Sequence, residues 1–427
     1  MHGTPHEADT MSNTRDENQR RMDGDLPDDT DPFVDSEVVG KPLVTVADSL
    51  DELAEAWGRK DEAVSTGFVQ LDYLLSGGIR PGDMLALVGL AKGGKSALWG
   101  QVLYQLAEKG ALGVYASVEM PRAEVTARWI THRIFLQSYF LDDAWAVSYG
   151  DVLYGKAHRG EDRKGKPLES QRVRDTIKAR LAEAMGEVKQ TGQRLFVEHL
   201  APGSTCRTLR GIIEQARAQT GHQGLVVLLV DPIQRLFAHE SEACKGAALD
   251  RMNSDETQRV SMVAQQLIGL AQDKALNVAI LFTSDTTKGA ALNRSADSAT
   301  DMRGTYMLNH AATAIFDVTS DGFEALCSAL AGNSKTEADK LIDELHGRLD
   351  APMLTSAMGK VLGAKAACLN CSANRRGPNG LAMFTFVPGA MTFAEADELN
   401  IDDLFENRVE KPKPKAAKGT PRKGGKR

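Results

Sequence analysis

The sequence holds no run of about 18 apolar residues, which excludes a membrane-spanning helix. Its first residues are acidic and polar rather than apolar, so no secretion signal is expected. Cysteine is scarce: Cys206, Cys244, Cys327, Cys368 and Cys371 are five in 427 residues. An odd and sparse set does not make a disulfide framework and fits a reducing cytoplasm. Aromatic residues are 6% of the chain and scattered, too few to argue a base-stacking platform. The nine histidines show no metal-ligand spacing, and there is no internal repeat. What remains, 42% hydrophobic and 26% charged, is a globular profile with ample core material, of a length for one large domain with extras or two to three domains.

The net charge of -7 averages three different regions. Residues 1–62 carry 17 acidic and 6 basic side chains, residues 408–427 carry 1 and 9, and residues 63–407 carry 40 and 36. The middle is therefore read as the folded body between tails of opposite sign. Residues 1–46 form an acidic segment, disordered because it has almost no periodic apolar positions. A short helix and linker follow over 47–62, where Leu50, Leu53, Ala54 and Trp57 recur at spacings of three and four. Residues 401–427 form a basic flexible tail, alternating Lys, Pro and Gly towards the end. That tail either contacts nucleic acid phosphates or is a solvated solubility device.

Between the tails, short apolar runs alternate with longer helical patterns. Strands are expected at 84–88, 112–118, 195–198, 225–230, 276–282, 312–318, 366–371 and 381–387. Helices are expected from 96, and over about 121–138, 171–188, 207–219 and 256–273. Leu225–Val230 is almost wholly branched aliphatic, which is how a strand buried on both faces of a parallel sheet reads. Such alternation implies an α/β fold, a mostly parallel sheet flanked by helices with right-handed crossovers. Residues 140–170 fit the rhythm poorly and read as an exposed excursion. Residues 321–360 read as a helical insertion, with Ala338, Leu341, Leu345 and Leu349 at helical spacing.

Gly89-Leu-Ala-Lys-Gly93-Gly94-Lys95-Ser96 matches G-x-x-x-x-G-K-[ST] between a buried strand and an amphipathic helix. Glycines there let backbone N–H groups wrap phosphates, and the helix adds its positive N-terminus. Lys95, expected on an exposed loop, would reach the β- and γ-phosphates of ATP, and Ser96 would ligate Mg2+. Asp231 ends the apolar strand and is the candidate magnesium-positioning acid. Glu119 follows the strand at 112–118, where ligands bind in open α/β sheets, and is a candidate water-activating base. By position alone it is equally a helix N-terminal charge. Cys368-Leu-Asn-Cys371 is a lone CxxC without further ligands; on a strand its thiols face opposite sides, so packing is expected.

With these residues in place, residues 63–398 resemble the RecA-like motor domain of DnaB-type replicative helicases. Ser65-Thr-Gly-Phe-Val-Gln-Leu-Asp through Arg80-Pro-Gly-Asp83 resembles that family's lead-in to its phosphate loop. Val118-Glu-Met120, with Arg128 nine residues beyond Glu119, resembles its catalytic-glutamate segment, and Asp231-Pro-Ile-Gln234 its magnesium-aspartate segment. Asp301-Met-Arg303 resembles the loop that tracks single-stranded DNA. Asn374-Arg375-Arg-Gly-Pro-Asn-Gly380 resembles the segment whose arginine finger serves a neighbouring subunit. The resemblance implies a RecA-like P-loop NTPase binding ATP and Mg2+. Gly89, Gly93, Gly94, Lys95, Ser96, Arg128 and Gln234 would meet nucleotide; Ser96 and Asp231 would hold the metal; Glu119, Lys95, Arg375 and Asp285 would act in catalysis. Arg303 is the DNA-loop arginine. Lys288 and Arg294, like Lys245 and Arg251, sit in loops expected at 285–302 and 237–256 that would face the channel of a ring.

The chain also departs from the family. Asp285 stands where a polar sensor, usually glutamine, is expected, and an acid facing a γ-phosphate repels it unless metal-bound or protonated. Ala373 replaces a lysine two residues before the finger, and Gly304 and Tyr306 depart within the DNA loop. Residues 1–62 carry no counterpart of the N-terminal helical domain that meets primase. The expected function is ATP-driven translocation on single-stranded DNA by a homo-oligomeric, hexameric ring in DNA replication, with duplex unwinding. The alternative is a RecA-like DNA-binding ATPase that does not unwind, such as a recombinase-like or loading factor. A third reading, a regulatory ATPase with protein partners, is opposed by the retained Arg303.

Overall fold

A computed structural model describes residues 45–57, 63–139, 146–241, 244–285, 307–320 and, apart from 332–333, 347–348, 350–352 and 355, residues 331–396. The chain divides into two units, Met1–Asp61 and Glu62–Arg427. The first contains the helix Val46–Trp57. Among the described residues no helix is long and apolar enough to cross a membrane.

The second unit is built on nine strands: β1 Met84–Gly89, β2 Leu112–Ser117, β3 Leu195–His199, β4 Val226–Asp231, β5 Val278–Asp285, β6 Ala314–Thr319, β7 Lys365–Asn374, β8 Gly380–Val387 and β9 Thr392–Ala394. They form one sheet in the order β3-β2-β4-β5-β1-β6-β7-β8-β9. Pairing is parallel from β3 through β6 and antiparallel from β6 to β9. This is the mostly parallel, RecA-like α/β sheet expected from the alternation of strand and helix patterns.

Side chains divide between the two faces with the period of two that a strand imposes. On β1, Leu85 and Leu87 join the core under the helices Lys95–Glu108 and Arg122–Tyr139. Met84, Ala86 and Val88 join the opposite core, with Leu209 and Ile213 of Cys206–Thr220 and Val260, Val263 and Leu267 of Glu256–Gln272. Because both faces are covered, β1, β2 and β4 are buried along their whole length, which is why they read as unbroken apolar runs.

Several segments differ from expectation. Part of the 140–170 excursion packs: Ala157 and Leu168 are buried with Ile134, Ile177 and Leu181 in a small core of their own. The stretch 237–256, expected as a loop, contains the helix Ala247–Ser254. The helix Val69–Leu74 and strand β9 were not expected; six and three residues are too short to show a period. Residues 335–346 of the expected insertion are helical, and Leu341, Ile342 and Leu349 pack with Cys368 and Met383 on the antiparallel end of the sheet. Cys368 faces that cluster and Cys371 the main core, and burial pushes the Cys371 thiol up to about 12. Among the described residues no group of three metal-ligating side chains gathers, and none of the four described cysteines is in a disulfide.

His132 links the helix Arg122–Tyr139 to β9. Its Nδ1 lies 2.9 Å from the Thr392 hydroxyl, which itself donates to the Ala390 carbonyl, so Nδ1 carries the proton. Its Nε2 is buried without a hydrogen-bond partner, and desolvation lowers the ring's pKa to about 3. A base whose folded pKa is depressed stabilises above its unfolded value near 6.5 and loses that contribution as pH falls towards 3. The slope is about 1.4 kcal/mol per pH unit below 6.5. Glu395 opposes it: burial raises its pKa to about 7, against the pull of the Val69 and Gln70 N–H groups, so folding gains stability as pH falls from 7 to 4.5. His132→Asn keeps the bond to Thr392 but takes up no proton. Its thermal midpoint should therefore rise between pH 6.5 and 5 relative to the wild-type midpoint over the same interval; parallel pH profiles would contradict this.

Candidate active site at the carboxyl edge of the sheet

The parallel strands end level with one another. Gly89 of β1 pairs with Asp285 of β5, and Ser117 of β2 pairs with Asp231 of β4. The loop after β1 and the segments after β2, β4 and β5 therefore meet at one edge, the place where open α/β sheets bind ligands.

The loop demands glycine. Gly94 caps the helix Lys95–Glu108 at φ 95°, and a Cβ there would lie 2.9 Å from Phe393 Cζ and 3.2 Å from the Phe386 ring. Those two rings stack with centroids 4.3 Å apart, so β8 and β9 form the floor under the loop. A Cβ on Gly93 would approach the Leu90 carbonyl to 3.0 Å. Gln101, about two turns further along the helix, holds Phe393 of β9 through both amide atoms, at 2.8 and 2.9 Å.

Lys95 is buried, not exposed as expected: its residue is 7% exposed. Its ammonium donates to the carbonyls of Gly89 and Leu90 at 2.8 and 2.9 Å and to Asp285 Oδ1 at 2.8 Å. Asp285 is thus brought to the loop, as an ion-pair partner of Lys95. Asp231, also buried, accepts 2.6 Å from the Tyr115 hydroxyl and 2.5 Å from the Thr283 hydroxyl. Both donors are neutral hydroxyls. Burial and the Asp231 charge push the Tyr115 phenol well above its ordinary range, so it stays a donor; it also faces Ser96 and the Arg128 charge. Gln234 Nε2 donates 2.7 Å to Ser284 Oγ, placing the Asp231 segment against β5. The peptide between Asp231 and Pro232 is cis.

Glu119 lies at the same edge, largely exposed, 3.3 Å from Arg235. Arg128 sits over the Tyr149 ring at 5.7 Å, and its Nε is buried without a hydrogen-bond partner beside a small pocket lined by Ser96, Gln101, Tyr115 and His132. Arg375 is not brought to this edge. It leaves β7 beside the start of β6, its N–H donates 2.9 Å to the Thr313 carbonyl, and its guanidinium bonds to the His310 carbonyl. Neighbouring Arg376 pairs at 2.8 Å with buried Asp83, just before β1. Lys288, Arg294 and Arg303, with Gly304 and Tyr306, lie outside the described residues.

Tyr115, Thr283 and Arg235 were not among the expected site residues. Thr283 had a signal, the first polar residue after the apolar run Val278–Phe282, two before Asp285. Tyr115 had none, since an aromatic in a strand is ordinary core.

The fold matches solved structures. The ATPase domain of G40P superposes with a TM-score of 0.57 over 83% of this chain and 100% of that one, at 14% identity. A DnaB-like replicative helicase, solved to show its interactions with primase, gives 0.56 over 82% of this chain and 68% of that one, at 15% identity. The fold is that of a DnaB-like helicase ATPase domain. No protein-family model matches the chain. No curated protein matches it in sequence either. The DnaB-like likeness therefore lies in the arrangement of strands and helices, and at such identity a site must be argued from its own residues.

Proposed function

We propose that this chain is an ATP hydrolase whose DnaB-like motor acts as a homo-oligomeric, hexameric ring on single-stranded DNA in replication, translocating and unwinding duplex. The observation that carries the reading is the meeting of a glycine loop, Lys95, Ser96 and buried Asp231 at one sheet edge. The motor would span 63–400 with an insertion at 321–360, flanked by the 1–46 and 47–62 segments and the 401–427 tail.

The residues fit a magnesium nucleotide. Asp231 is a carboxylate oxygen donor that accepts from the Tyr115 and Thr283 hydroxyls, and with Ser96 it would hold the metal, which would neutralise charge on the transferred phosphate. Gly89, Gly93 and Gly94 would let backbone N–H groups approach the phosphates, and Lys95 would bind them directly. Gln234 and Arg128 would orient the same end of the nucleotide. Glu119 would accept a proton from the attacking water, and Arg235 would hold that carboxylate in place. Arg375 would supply positive charge to a neighbouring subunit's site. Lys288, Arg294 and Arg303 would contact the DNA strand.

The test is ATP turnover with and without single-stranded DNA, followed by a forked-duplex unwinding assay. Stimulation by DNA and strand separation are expected. Glu119→Gln should keep nucleotide affinity, because the amide preserves size, and lose most of kcat. If affinity falls while turnover survives, Glu119 is a structural acid. DNA-stimulated turnover without unwinding would instead establish the second reading, a DNA-binding ATPase used as a switch, which the acidic partner of Lys95 favours.

A further inference from the structure

Asp285 belongs to no standard part of the chemistry just described. An ammonium has three donors, and those of Lys95 go to the Gly89 carbonyl, the Leu90 carbonyl and Asp285. The Lys95 side chain is 8% exposed and that of Asp285 42%, so the carboxylate is the open member of the pair. Asp285 is also level with Gly89, the first residue of the loop. An anion approaching Lys95 from solvent therefore meets this carboxylate first.

A phosphate and a carboxylate cannot both lie close to one ammonium without repelling each other. A diphosphate brings only its β-phosphate to the lysine, one charged group beside the Asp285 carboxylate. A triphosphate sets a further charged group against the lysine and must displace the carboxylate. We propose that Asp285 competes with the terminal phosphate for Lys95 and so determines how strongly this site discriminates nucleoside triphosphate from diphosphate. The proposal rests on the reading of the loop as a nucleotide site, and it assigns Asp285 to specificity rather than to proton transfer.

The test is calorimetric titration of the full chain with magnesium and either ADP or a non-hydrolysable ATP analogue. Asp285→Asn keeps the size and a hydrogen-bonding oxygen but removes the charge. It should tighten the analogue at least about tenfold, roughly 1.4 kcal/mol, and ADP by much less. Asp285→Ala should shift the ratio in the same direction, and it provides the same readout should the amide disturb folding. An unchanged ratio in both variants, or weaker binding of the analogue, would overturn the proposal while leaving the nucleotide site standing. If neither wild type nor variant binds either nucleotide, the site reading falls and this proposal with it.

Discussion

Lys95→Ala is expected to abolish ATP turnover while the protein stays folded. The side chain begins the phosphate-loop helix, and its ammonium is the only cation bonded to the loop's own carbonyls among the described contacts. Removing it takes away the fixed positive charge that the developing charge on phosphate would use. Loss of one such preorganised group costs about 10²–10³ in kcat. The fold should tolerate the change, because Asp285 is 42% exposed and can be solvated once its partner is gone. An ion pair with one open member contributes on the order of 1 kcal/mol or less to stability. Turnover and a thermal melt of the same preparation decide the matter. A variant that melts normally and keeps more than a tenth of wild-type turnover would remove the phosphate-loop assignment.

The positions of the glycine loop after β1 and of Asp231 at the end of β4 were legible in the sequence because each is marked by local features. A glycine motif follows an apolar run in one case, and an acid ends a fully apolar strand in the other. Strand order and the level ends of β1 and β5 were not legible, since they depend on pairing between segments nearly 200 residues apart. That is why the pairing of Asp285 with Lys95 could not be foreseen. It is also why Lys95, expected to be exposed, is buried under its own loop. Tyr115 was hidden for a different reason. Its ring is core packing, and only its hydroxyl, reaching from β2 to Asp231 on the adjacent strand, belongs to the site. The aromatic floor beneath Gly94 comes from β8 and β9, which lie at the far end of the sheet order and curl back under the loop.

Arg375→Ala should leave nucleotide affinity nearly unchanged and cut turnover by about 10³–10⁵, the range an arginine finger supplies. The sheet topology supports action on a neighbour rather than on its own site. Asn374 pairs with Ala314, and Ala314 with Leu85, so Arg375 emerges beside the beginning of β1. The phosphate loop starts at the other end of that strand, and the six residues of Met84–Gly89 span roughly 20 Å at about 3.3 Å each. A guanidinium anchored on the His310 carbonyl at the far edge does not reach its own Lys95. In a ring, it would meet the exposed edge of the next subunit. Mixing Arg375→Ala with Lys95→Ala chains therefore offers a direct test, since each is inactive alone. A mixed ring contains interfaces that pair an intact Lys95 from one subunit with an intact Arg375 from the next. Partial recovery of turnover on mixing is the expected outcome. Mixed oligomers that form and stay inactive would mean that Arg375 serves another purpose or that every site must fire together. A chain that remains monomeric by light scattering with ATP and DNA present would overturn the ring itself, because its site would then lack the cation that the sheet holds at its opposite edge.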